Sequence, residues 1–213
     1  MGKIAIITGI NGQDGTYLSR LLLKKNYKIF GIINPKSKIK NKREDIKIIK
    51  IDLNNFKKIS QLIKKIKPNE FYHLAAQSFI NYKFEDEFFK LNPNINGTHY
   101  ILSSINKFSP KTKFYFAASS EIFGDARKFP QNEKSEFNPR SAYGISKVAG
   151  FHLTKNYREA YNLFSCSGIL YNHESPLRNK DFVSRKITSA IARIKSNKQK
   201  NLKLGNINSK RDW

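Results

Sequence analysis

The chain has 213 residues, enough for one well-cored domain with a small appendage. Hydrophobic residues make up 39% and aromatics 13%, which argues against a wholly disordered chain, and no apolar run approaches the ~20 residues of a membrane-spanning helix. Forty Lys and Arg against sixteen Asp and Glu leave a formal charge of +24, which draws polyanions, while the single cysteine, Cys166, excludes an internal disulfide scaffold. The lone thiol and an N-terminus without a signal-peptide pattern lead us to expect a cytoplasmic protein.

In chain order, apolar runs alternate with amphipathic stretches. Residues Lys3 to Thr8 read as a β-branched first strand, followed by a glycine-punctuated turn and a helical pattern at Leu18, Leu21 and Leu22. Tyr27 to Ile33 is the second strand and Ile46 to Ile51 the third. Phe56, Ile59, Leu62, Ile63 and Ile66 recur at helical spacing until Pro68. Phe71 to Ala75 is the fourth strand, and Phe114 to Ala118 the fifth after a long helical region. Ala142 to Tyr161 reads as a helix, Leu163 to Leu170 as a sixth strand, and Val183, Ile187, Ala190, Ile191 and Ile194 as one face of a last helix. This alternation predicts an α/β fold, a Rossmann-type doubly wound parallel sheet over residues 1–170, with residues 171–213 beginning a small substrate-binding part. The many lysines, among them Lys24, Lys25, Lys57, Lys58, Lys64, Lys65 and Lys67, read as solvated helix faces. A basic nucleic-acid module is the non-enzyme alternative, but the chain has neither zinc spacing nor a basic stripe interleaved with aromatics.

Gly9, Gly12 and Gly15 form GxxGxxG between the first strand and the first helix. Glycines there permit a tight turn, and the helix N-terminus offers N–H groups to a pyrophosphate. The second strand ends in Ile33, Asn34, Pro35, Lys36 and Ser37, with no carboxylate for a ribose; Lys36 suits a 2′-phosphate, which favours NADP. Asp52 and Leu53, after the third strand, are placed to meet adenine, though Asp52 reads equally as a helix N-cap. Tyr143 and Lys147 stand four residues apart on one helix, where an ammonium favours the phenolate and makes the tyrosine a base. Ser119 and Glu121 follow the fifth strand, where sites in open α/β sheets lie: a hydroxyl for a substrate oxygen, and a carboxylate that plain alcohol oxidation does not need. The alternative role for Glu121 is a helix-start carboxylate on the dipole.

Seven runs carry a resemblance: Thr8-Gly-Ile-Asn-Gly-Gln-Asp-Gly15, Leu74-Ala-Ala-Gln-Ser78, Pro139-Arg-Ser-Ala-Tyr143, Asn156-Tyr-Arg-Glu-Ala-Tyr161, Asn172-His-Glu-Ser-Pro176, Phe182-Val-Ser-Arg-Lys186 and Lys210-Arg-Asp-Trp213. Together they resemble the GDP-mannose 4,6-dehydratase family, extended short-chain dehydrogenases of the sugar-nucleotide group. The resemblance spans essentially the whole chain, and the Asn172 and Lys210 runs are the ones most particular to that family. It implies NADP as a recycled cofactor, GDP-mannose as substrate and GDP-4-dehydro-6-deoxy-mannose as product. The alternative enzyme reading is another sugar-nucleotide epimerase or 4-keto reductase of the same fold, which Glu121 beside Ser119 discriminates, since an epimerase needs no C5 base. The full-length family enzyme is expected to be a homo-oligomer, without membrane or nucleic-acid partners.

By the same resemblance Ser119, Glu121, Tyr143 and Lys147 would be catalytic. Gly9, Asn11, Gly12, Gln13, Asp14, Gly15, Leu74, Ala75, Ala76, Gln77, Ser78, Lys147, His173 and Arg178 would touch the cofactor beside Lys36, Asp52 and Leu53. Asn172, Lys186 and Arg211 would hold the nucleotide-sugar, and no metal is expected. The chain departs from the family at Ser119, where threonine is usual; at Asn34-Pro35-Lys36-Ser37, which replaces an Arg-Arg-Ser-Ser segment and precedes a shorter loop; and at Phe89, which replaces a tyrosine. Family members also continue past Lys210-Arg-Asp-Trp213, so this chain is expected to bind NADP, to turn over GDP-mannose negligibly and to self-associate through the apolar face of its last helix.

Overall fold

A computed structural model describes residues 2–38, 44–76 and 84–210. Six parallel strands form one sheet: β1 (Ile4–Thr8), β2 (Lys28–Ile33), β3 (Ile46–Lys50), β4 (Glu70–His73), β5 (Lys113–Ser119) and β6 (Ser165–Leu170), in the order β3-β2-β1-β4-β5-β6. This is the doubly wound arrangement, in which the chain reverses direction across the sheet beside β1 and opens a crevice at the strand C-termini. The fold reading from the sequence therefore holds.

Alternation along the strands sends side chains to two cores. Ile6, Phe30, Ile32, Phe71, Phe114 and Phe116 face the larger one, which is completed by α2 (Phe56–Ile66), α3 (Phe84–Phe108) and α4 (Ala142–Tyr161). Ala5, Ile7, Ile29, Ile33 and Ile46 face the other, covered by α1 (Gln13–Lys24) through Leu18, Leu22 and Leu23. Of the expected apolar pattern of α1, Leu21 points outward and is 51% exposed; Gly15, Ser19 and Leu22 form the buried side. The small Gly15 and Ser19 let this helix lie close to the sheet, which a search for large apolar side chains does not find.

Local chemistry sets the boundaries. The Asn55 side chain caps α2 by accepting from the Lys58 N–H at 2.9 Å, so Asp52 is not the N-cap; its carboxylate accepts instead from the Asn54 N–H. Lys67 ends α2 in the left-handed region, φ 46°, immediately before Pro68. Strand β4 stops at His73, two residues short of the sequence expectation, because the Ala75 N–H goes to the Thr8 hydroxyl at 3.0 Å.

The described chain divides into two compact units, Met1–Leu170 and Tyr171–Trp213. The second contains α5 (Val183–Lys195), with Ala190 buried and Val183, Ile191 and Ile194 exposed. No described helix is long and apolar enough to cross a membrane.

Candidate active site

In the first unit the candidate residues stand where the strands end. Gly9 follows β1 with φ +72°, a conformation open to glycine, and a Cβ there would lie 2.9 Å from the Ala75 nitrogen. A Cβ on Gly15 would overlap the Gly9 carbonyl. The loop between them is thus drawn tight by backbone packing, and the Gly12 N–H closes it on the Gly9 carbonyl at 2.9 Å. Gly12 is the N-cap of α1, and no side chain caps that helix end. Such a terminus suits an anionic group, with Asp14 as the acidic residue of its first turn.

Asn11 donates to the Lys38 carbonyl at 3.1 Å, tying the glycine loop to the segment after β2. There Asn34 accepts twice, its carbonyl from the Ser37 N–H and its side chain from the Lys36 N–H, both at 2.9 Å, with Pro35 at the corner. Lys36 is exposed on this turn. Leu53 is half-buried, Asp52 is exposed, and Leu74, Ala75 and Ala76 run past the end of β4. Gln77, Ser78 and Arg211 lie outside the described residues.

Tyr143 and Lys147 sit at the start of α4. Ser141 caps that helix, accepting from the Gly144 N–H at 3.0 Å, which puts Tyr143 in the first turn at the positive end of the dipole. Lys147 is one turn on and 2% exposed; its ammonium donates to the Ala117 carbonyl at 2.6 Å and lies 5.5 Å from the Tyr143 ring centroid and 4.9 Å from that of Phe116. Burial lowers its pKa to about 7. Ser119 and Glu121 fall on the turn from β5 into a short 3-10 helix (Ser120–Ile122), where the Ser119 hydroxyl accepts from the Glu121 N–H at 3.3 Å and Glu121 is half-buried. The helix α4 docks there: a Cβ on Gly144 would lie 2.7 Å from the Glu121 carbonyl. Two sequence-distant elements thus meet, one carrying Ser119 and Glu121 and the other Tyr143 and Lys147. One supplies a hydroxyl and a carboxylate, the other a phenol with a cation beneath it.

Sequence reasoning missed a polar thread under this site. His73 lies fully in the core, its Nδ1 2.7 Å from the Thr8 hydroxyl and its Nε2 3.1 Å from the Thr98 hydroxyl. A histidine ending an apolar strand was the available signal. In the second unit, Asn172 is half-buried, Lys186 is exposed, and the His173 Nδ1 lies 2.8 Å from the Tyr171 carbonyl. The Arg178 guanidinium stacks 3.8 Å from the Phe182 ring centroid, with Nε 3.3 Å from the Glu174 carboxylate, close enough for an ion pair but not aligned as a hydrogen bond. Ser184 donates to the same carboxylate. Glu174, unassigned by sequence, therefore organises the neighbourhood of Arg178.

The family model for GDP-mannose 4,6 dehydratase matches residues 6–213. The chain belongs to the GDP-mannose 4,6-dehydratase family. Within that family it is 40% identical to GDP-mannose 4,6 dehydratase 2 of Caenorhabditis elegans, over 99% of this chain and 59% of that one. It is equally identical to the GDP-mannose 4,6-dehydratases of Drosophila melanogaster and Yersinia enterocolitica, of which 57% and 60% are covered. The chain thus spans about three fifths of the length of these relatives. Among solved structures, UDP-glucose 4-epimerase of Thermus thermophilus in complex with NAD aligns over 91% of this chain and 63% of that one, with TM-score 0.80 and 21% identity. The dTDP-glucose 4,6-dehydratase DesIV of Streptomyces venezuelae, with NAD bound, aligns over 89% of this chain and 62% of that one, with TM-score 0.77 and 16% identity. These likenesses show that the family fold is present.

Proposed function

We propose that the chain carries the dinucleotide-binding and catalytic part of a GDP-mannose 4,6-dehydratase, using NADP. The observation that carries the reading is the docking of the Ser119–Glu121 turn, through the Glu121 backbone carbonyl, against the first turn of α4 that bears Tyr143. The relatives' activity supports it, and so does the fit of a dinucleotide: the glycine cradle between Gly9 and Gly15 leaves no room for a Cβ, the start of α1 has no side-chain cap, and the turn after β2 presents Lys36 and no carboxylate. When bound, the nicotinamide supplies a reversible hydride acceptor. The protein's own groups move the protons. Tyr143 accepts the 4-hydroxyl proton, aided by the helix dipole and by the protonated fraction of Lys147. Once C4 is a ketone, C5–H is acidic, and Glu121 removes that proton. Ser119 or Glu121 protonates the departing C6 hydroxyl; with the hydride taken from C4 returned to C6 and a proton restored to C5, the net change would be loss of one water. By the same reading Asn11, Gln13, Asp14, residues 74–76, His173 and Arg178 touch the dinucleotide, and Asn172 and Lys186 hold the nucleotide-sugar.

The test has two arms. Calorimetric titration should show NADP bound more tightly than NAD. Mixing with GDP-mannose, in the chain alone and fused to the remaining two fifths of a relative, should give the 4-keto sugar in at least the fusion. In that active form Glu121→Gln should accumulate bound reduced nicotinamide without dehydration, and Tyr143→Phe should give neither. Absence of dinucleotide binding, or an undiminished Glu121→Gln variant, would overturn the reading.

A further inference from the structure

The buried polar thread beneath the site is directional and runs in two stretches that share Asn94. The Thr98 hydroxyl donates to the Asn94 carbonyl at 2.7 Å, so toward His73 it can only accept. His73 Nε2 therefore carries the proton. Its bare Nδ1 accepts from the Thr8 hydroxyl, whose oxygen in turn accepts the Ala75 N–H. From Asn94 a second series starts: its side-chain amide donates to the Ser146 hydroxyl at 3.1 Å, and Ser146 donates to the Tyr143 carbonyl at 2.7 Å. Thr8, His73, Asn94, Thr98 and Ser146 are all buried. The series runs from the turn beside Gly9 to the turn of α4 that carries the phenol.

We infer that His73 is a positioning residue: as its Nε2–H tautomer it bridges β1 to α3 and holds residues 74–76 in register with the first turn of the helix that bears Tyr143. Each hydroxyl in the series has one proton, and each is already directed, so the ring cannot turn over without leaving a buried donor or acceptor unpaired. The groups facing the ring leave no place for a second proton. They are Thr8 on β1, Thr98 on α3, the Phe114 and Phe116 rings on β5 at 6.4 and 5.8 Å, and, as the charged group acting on it, Lys147 on α4. Burial first, and the Lys147 charge second, lower the His73 pKa to about 3. The ring stays neutral and the direction of the series is kept wherever the fold persists.

The binding arm of the test rests on the proposed dinucleotide site, whereas the ring arm does not. In the chain labelled with ring-15N histidine, the His73 signals should show Nε2 protonated and Nδ1 bare, without titration from about pH 5 to about pH 8. Thr98→Val keeps the shape and removes the acceptor of that proton; Thr98→Ser keeps the hydroxyl. The valine variant should bind NADP about tenfold more weakly and exchange amide protons faster over residues 143–147, while the serine variant stays within about twofold of the parent on both measures. A parent with Nδ1 protonated, or a ring titrating near its ordinary value, would overturn the inference even if the valine variant fails to fold. So would a folded valine variant that matches the serine variant in exchange and binding. If the parent binds no dinucleotide, the proposed function fails, and ring state with exchange still decides the inference.

Discussion

Lys147 is held in the interior at a cost to stability. A buried ammonium held by one carbonyl and two ring faces is costly, which is why its pKa falls to about 7 from 10.5. Lys147→Met, similar in length and uncharged, should therefore stabilise the fold at neutral pH by about 1–3 kcal/mol in urea titration, while abolishing whatever chemistry depends on Tyr143. The pair Tyr143 and Lys147 was legible in the sequence because helical spacing is local. Its setting was not: that Ala117 accepts from the ammonium follows from α4 lying across β5, a contact thirty residues apart in the chain.

At the scale of elements, close approach decides which residues can stand opposite one another. A Cβ on Gly150 would overlap the Phe116 ring, which neighbours both His73 and Lys147. Gly150→Ala should destabilise by about 1–3 kcal/mol despite alanine's better helix propensity, because the aromatic ring and the backbone behind it cannot yield as a flexible chain end does. Phe116→Leu in the same chain should recover part of that loss, and additive costs in a double-mutant cycle would show that the contact is not responsible. The helix, its start at Ala142 and the strand were each expected from sequence. Why a glycine stands at 150 emerges only when β5 is laid beside α4. The same holds for Gly15 and Ser19 on α1, where the sequence pattern drew attention to Leu21 instead.

For the molecule as a whole, buried titratable groups set the dependence of stability on pH. His73 has its folded pKa lowered to about 3 from 6.5, so as pH falls through that window the unfolded chain takes up a proton that the folded one refuses, and stability declines. Lys147 acts the same way between 10.5 and about 7, so its contribution improves as pH rises across that range. Burial, with hydrogen bonds to the Glu70 carboxylate, raises the pKa of Tyr72 and Tyr27, whose favourable contribution is lost as pH rises past their ordinary value of 10.0. The net charge of +24 adds self-repulsion that eases toward alkaline pH. Thermal melts should therefore show stability rising from acid pH through neutrality to a maximum on the alkaline side, below about pH 10. A maximum near pH 5 would contradict this balance.

Local sequence carried the alternation of strands and helices, hence a parallel sheet; the glycine turn after the first strand; the absence of a carboxylate after the second; and the Tyr143–Lys147 spacing. All of these are local, set by periodicities of 2 and 3.6 residues and by the restricted conformations of glycine and proline. Long-range packing set two other features: β4 ends early because Thr8 captures Ala75, and the turn bearing Glu121 docks on Gly144. It alone decided that a lone histidine is the joint between β1 and α3. Each of these depends on which group another segment brings within reach. That is settled by packing between residues up to 67 positions apart, for which a single sequence carries no periodic signal.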